Sequence, residues 1–94
     1  MERNLTDEEK GKLINCGALG YDSSRISVIT GLDLKQVVAG LKNEKSEIFK
    51  SFQRGEWINE YLIDVKLIEM AQGGDLKAVD TLDARKRFRK LAQK

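Results

Sequence analysis

Nowhere along the chain do Val, Ile and Thr alternate with polar residues over a stretch long enough for a strand, and no proline interrupts it. Apolar residues recur instead at spacings of three and four, broken by glycines and by short Asp/Ser/Thr clusters. That pattern predicts an all-α fold. With 94 residues, 40% of them hydrophobic, and one cysteine, the chain is long enough to bury a core as a single domain without disulfides or zinc. It is also too apolar to stay disordered. The polar start MERNLTDEEK has no signal-peptide character, and no apolar run reaches the roughly 18 residues of a membrane span. The expectation is a cytoplasmic protein without a membrane segment.

The absence of histidine removes the commonest general base near neutral pH, together with the Ser/His and Cys/His nucleophile pairs. Most hydrolase chemistry is therefore a poor fit, and no cofactor or metal is expected. Cys16 reads as a small buried hydrophobe. The Gly73-Gly74-Asp75 turn lacks the Lys-Ser/Thr of a nucleotide loop, and the Asp75 carboxylate would repel an anion there. Asp80 and Asp83, one helical turn apart, read as solvated charges.

Thr6 and Glu9 spell a capping box, in which each side chain satisfies a free amide, so a first helix should run from about Asp7 to Leu19 and stop at Gly20. Asp22, Ser23 and Ser24 offer a cap for a short second helix carrying Ile26, Val28 and Ile29 and ending at Gly31. Asp33 precedes a third, whose Leu34, Val37, Val38 and Leu41 share one stripe. Helices joined by so tight a turn must cross steeply, and a glycine supplies the left-handed backbone that such a turn needs.

Ser46 can cap a fourth helix that begins with Ile48, Phe49 and Phe52 on one side. Ile58, Tyr61, Leu62, Val65 and Ile68 then cluster roughly 150° around the axis. Gly55 sits at the changeover, which predicts a break or bend between Arg54 and Glu56. The single domain would then comprise a subdomain over 1–54 and a helical hairpin over 55–94. Gly73, Gly74 and Asp75 make the hairpin turn before a fifth helix with Leu76, Ala78, Val79 and Leu82. Ile63, Leu67 and Met70 lie on a second side of the fourth helix. Ala84, Phe88, Leu91 and Ala92 lie nearly opposite the Leu76 stripe. This surplus predicts a homo-oligomer. Trp57, the only tryptophan, reads either as a core anchor or as a subunit contact.

On the spacing of Ile26, Gly31, Leu32, Val37 and Leu41, the segment Ser23–Asn43 resembles a helix-turn-helix of the bacterial and phage DNA-binding type. Ser27 stands where that family usually has alanine. Gly40 inside the second helix is a larger departure, costing about 1 kcal/mol relative to Ala. A helix-turn-helix lays its second helix in the major groove of double-stranded DNA. The resemblance thus puts Lys35 and Gln36 at base edges, with Arg25, Lys42 and Asn43 nearer the backbone. The last ten positions carry Arg85, Lys86, Arg87, Arg89, Lys90 and Lys94 without one acid. They read either as a phosphate-binding arm, with Arg85, Lys86, Arg89 and Lys90 on DNA, or as a helix end whose cations suit the dipole.

The stretch from Glu60 to Arg85, with Ala71, Gly74, Asp75, Ala78, Leu82 and Arg85 in register, is similar to the segment after the helix-turn-helix in many phage terminase small subunits. The resemblance implies a non-enzymatic protein of the bacterial host cell that recognises viral DNA for packaging, assembles into a ring and recruits a separate large terminase motor subunit. The chain departs from that family in size, since it stops soon after the hairpin. Two other readings stand beside this one. The first is a small helix-turn-helix transcription regulator that dimerises through the hairpin, and the second is a structural or adaptor assembly protein that does not bind DNA.

Overall fold

The computed structural model describes residues 4–92. The fold is all-α: α1 (Asp7–Leu19), α2 (Ser23–Thr30), α3 (Leu34–Lys42), α4 (Glu47–Gln72) and α5 (Leu76–Ala92) follow one another, with no strand among the described residues. Among these residues no helix is long and apolar enough to cross a membrane.

Local chemistry sets the helix ends. Thr6 Oγ1 accepts from the Glu9 amide at 3.1 Å while the Glu9 carboxylate accepts from the Thr6 amide at 2.9 Å, so the expected capping box is present. Gly20, with φ 70°, closes α1 in the left-handed conformation that costs glycine nothing. Asp22 accepts from the Arg25 amide at the start of α2. Asp33 occupies the cap position of α3 but makes no side-chain cap bond. Ser46 works at two helix ends, because its hydroxyl donates to the Gly40 carbonyl at 2.6 Å and accepts from the Phe49 amide at 3.0 Å. Asp75 accepts from the amides of Lys77 and Ala78, so the carboxylate fills the anion position at the α5 N-terminus.

The chain divides into two compact units, one ending at Asn59 and the other beginning at Glu60. The first unit holds the core, in which Leu5, Leu13, Cys16, Ile26, Leu32, Val37 and Ile48 are buried and Tyr21, Leu41 and Phe52 pack against them. Ile48 and Phe52 bring the first turns of α4 onto this core, as their spacing predicts.

Of the break or bend expected at Gly55, the break does not occur. α4 continues through Arg54–Glu56 without interruption. Gly55 is instead buried against the backbone of α1, where a Cβ would collide with the Ile14 carbonyl and crowd the Ala18 amide. Gly17 of α1 meets the Phe52 carbonyl in the same way. A glycine on each helix lets the two helix backbones touch. Gly40 has a similar reason, since a Cβ there would lie 2.7 Å from Ile48 Cδ1. The propensity cost of a mid-helix glycine is offset by room for Ile48.

The second unit is a helix–turn–helix pair closed by Gly74, whose φ of 97° again requires glycine. Its helices meet along a different stripe from the one expected. Asp64 of α4 accepts from Arg85 Nε at 2.6 Å and from Arg89 Nη2 at 2.8 Å of α5. Asp64, Leu67 and Ala71 recur at spacings of three and four and are all half-buried. On α5, Ala78 is buried while Leu82, Arg85 and Arg89 are half-buried. Tyr61, Leu62, Ile68 and Leu76, expected inside the hairpin, are exposed. An aspartate anchored by two arginines sets the register, and the apolar stripe lies off it.

Candidate nucleic-acid interface

The turn between α2 and α3 is hydrogen-bonded from within. Gly31 has φ 78° and its amide donates to the Ser27 carbonyl at 2.9 Å. Thr30 Oγ1 donates to the Ile26 carbonyl at 2.7 Å and accepts from the Leu32 amide at 3.2 Å, which satisfies a buried hydroxyl on both sides. Ser27 Oγ donates to the Leu32 carbonyl at 2.6 Å. The serine at the usual alanine position is thereby explained, because its hydroxyl ties the end of the turn back to α2. With Ile26, Leu32 and Val37 buried beneath it, this turn fixes α3 against α2.

One side of α3 is buried through Val37 and Gly40, with Leu41 half-buried beside them. The opposite side carries Lys35, Ala39 and Lys42, spaced by four and three, all exposed. Leu34 and Asn43 are also exposed, at the two ends of the segment. No acid occurs from Leu34 to Lys42. Gln36 is not on this outer side. It is half-buried and lines a small polar recess with Asn4, Leu5, Lys45, Ser46, Glu47 and Ile48. Lys35 and Gln36, the two residues expected from sequence at base edges, therefore do not share a side of the helix: the outer side carries Lys35, Ala39 and Lys42. Wheel geometry over α3 holds that signal, once the buried side is known.

Arg25, exposed on α2, has its guanidinium 5.1 Å from the centre of the Tyr21 ring. A cation held over an aromatic face is positioned without losing its donors. Leu5 and the start of α4 brace the unit, since Glu47 Oε2 accepts from the Leu5 amide at 3.2 Å and Lys10 lies 3.7 Å from Glu47 Oε1.

Two residues of the basic end of the chain are engaged within the hairpin. Arg85 and Arg89 hold Asp64, and among the tail residues named from sequence Lys86 and Lys90 are exposed, as is Arg87. Burial pushes the Asp64 carboxyl up, but hydrogen bonds from the two arginines and their charge outweigh it and hold it below the ordinary carboxylate value. Lys94 lies outside the described residues.

The apolar residues expected at a subunit contact are in large part open surface. Trp57 is 62% exposed, which ends its reading as a core anchor, and Phe88 and Leu91 are 76% and 66% exposed. Ile63 and Met70 are exposed as well, whereas Leu67 is half-buried on the Asp64 stripe. No group of His, Cys, Asp or Glu among the described residues is arranged to hold a metal ion.

Comparison with protein-family models, with curated proteins and with solved structures finds no match to this chain.

Proposed function

We propose that the chain binds double-stranded DNA without catalysis, through α3, and that it does so as an assembly of several copies. The observation that carries the reading is the outer stripe of α3. Lys35, Ala39 and Lys42 stand on a helix fixed by a self-bonded left-handed turn, with no acid on the helix to repel phosphate. Seated in a major groove, such a helix turns its outer stripe toward base edges, while Arg25 and Asn43 flank it toward the two phosphate walls.

A titration of duplex DNA over a series of salt concentrations tests this. Lys35→Ala with Lys42→Ala should weaken binding by about 1–3 kcal/mol for a lysine on a base edge, and should flatten the salt slope by about one for each lysine on a phosphate. Gln36→Ala should leave affinity unchanged. A folded double variant with wild-type affinity would remove α3 from the interface.

Assembly is supported by the second unit. Ala78 is its only buried side chain among the described residues, too little apolar burial to hold a helix pair in water unaided. Helix geometry then separates what stays open. With Asp64, Leu67 and Ala71 turned toward α5, Tyr61 and Ile68 fall roughly 80° to one side, while Ile63 and Met70 fall roughly 80° to the other, the side shared with Phe88. Apolar surface on both broad sides of the hairpin suits a chain that touches two neighbours rather than one. Phe88→Glu with Leu91→Glu should therefore reduce the particle mass seen in sedimentation. A wild-type protein that is monomeric at high micromolar concentration would overturn the assembly reading.

The likeness of Glu60–Arg85 to the corresponding part of phage terminase small subunits supports DNA packaging as the setting, with a large terminase motor as the further partner. The amount of open apolar surface favours a second reading, an assembly or adaptor protein without DNA, and the same titration separates the two.

A further inference from the structure

The outer stripe of α3 carries no carboxamide side chain able to form a paired hydrogen bond with a base. Gln36, which could do so with adenine, is turned into the recess beside Ser46 and Glu47. What faces outward is two ammonium groups with a methyl group between them, and Leu34, 45% exposed, adds apolar surface at the start of the helix. Lys35 and Lys42 are seven residues apart in the sequence, about 10.5 Å along the axis, which is close to the length of three base pairs.

Each of these groups has a defined complement in the major groove. An ammonium suits the O6 and N7 acceptors of guanine, and an alkyl side chain suits the C5 methyl of thymine. An exposed alanine has no other way to distinguish one base pair from another. Resting on the DNA-binding reading above, we infer that Ala39 is a specificity-determining residue that reads a thymine methyl, between guanines read by Lys35 and Lys42.

The test uses the full chain. Duplexes recovered from a random library by binding to the protein are resynthesised with deoxyuridine in place of thymine, which removes the methyl groups and leaves base pairing unchanged. Affinity should fall about fourfold for each methyl that packs on the helix, the change that goes with burying one CH₂-sized group. Ala39→Gly should bind thymine and deoxyuridine duplexes equally. Ala39→Ser, which keeps a side chain on the helix, should retain only part of the difference if glycine proves too destabilising. Equal wild-type affinity for the two kinds of duplex overturns the thymine inference while leaving DNA binding intact. A library that yields no bound duplex overturns the DNA-binding reading, and this inference falls with it.

Discussion

Gly55→Ala is expected to lower stability by roughly 3 kcal/mol or more, because the added methyl would have to enter the backbone of α1 at the Ile14 carbonyl. Backbone cannot yield as the end of a flexible side chain can, so α1 and α4 must separate along the crossing. Core contacts of Leu13 and Cys16 on one helix, and of Ile48 and Phe52 on the other, would loosen with them. In a chain of this size each kcal/mol moves the midpoint by about 4–8 °C, so thermal unfolding should begin at least 12 °C or so earlier. Gly17→Ala should behave alike, since its methyl meets the Phe52 carbonyl. Gly11→Ala is the control: nothing lies within 4 Å of its Cβ position, and replacing a helical glycine there should raise stability by about 0.5–1 kcal/mol. If Gly55→Ala and Gly11→Ala gave the same midpoint, the crossing would not be where the structure puts it.

Asp64→Asn is expected to loosen the hairpin by about 2 kcal/mol. The aspartate side chain is only 17% exposed and accepts from two guanidinium groups, and charged hydrogen bonds of this kind contribute about 1.5–3 kcal/mol before the partial exposure of Arg89 is discounted. Asparagine keeps the shape but removes the charge, leaving one arginine on a neutral amide oxygen and the other facing an amide N–H donor in place of its acceptor. Amide exchange along α5 should accelerate in the variant, with little change in α1–α3. The pH dependence has a fixed sign. The folded-state value of Asp64 lies below the ordinary 3.8, so its stabilisation is complete above that value and is lost as pH falls through the folded one. The difference between wild type and variant should accordingly be flat near neutral pH and shrink below about pH 4. A difference that persisted undiminished at low pH would assign the effect to packing instead of charge.

Much of the fold is legible in the sequence because its causes are local. Thr6 with Glu9, Asp22, Ser46 and Asp75 announce helix starts, and Gly20, Gly31 and Gly74 announce ends, since capping and left-handed turns act over a few residues. Gly55 is not legible in this way. A glycine that breaks a helix and a glycine that admits a neighbouring backbone look the same until the neighbour is known. The hairpin register is hidden for a related reason. Asp64 sits among apolar residues whose spacing suggests a buried stripe, and only the reach of Arg85 and Arg89 across to it decides which side turns inward. At the candidate interface, Lys35 and Lys42 are visible as cations on a short helix. The place of Gln36 is not, because its orientation depends on Leu5 and Ser46–Ile48, which approach α3 from distant parts of the chain.

Cys16, the only thiol in the chain and 2% exposed, has a consequence for how the molecule can be watched. Burial pushes its pKa up, so in the closed protein it is neither accessible nor ionised, and alkylating reagents and disulfides have nothing to react with. Modification proceeds only through molecules in which α1 has lifted from the core. The native chain therefore carries its own reporter of subglobal opening: the labelling rate of one atom, Cys16 Sγ, measures how often the first unit comes apart.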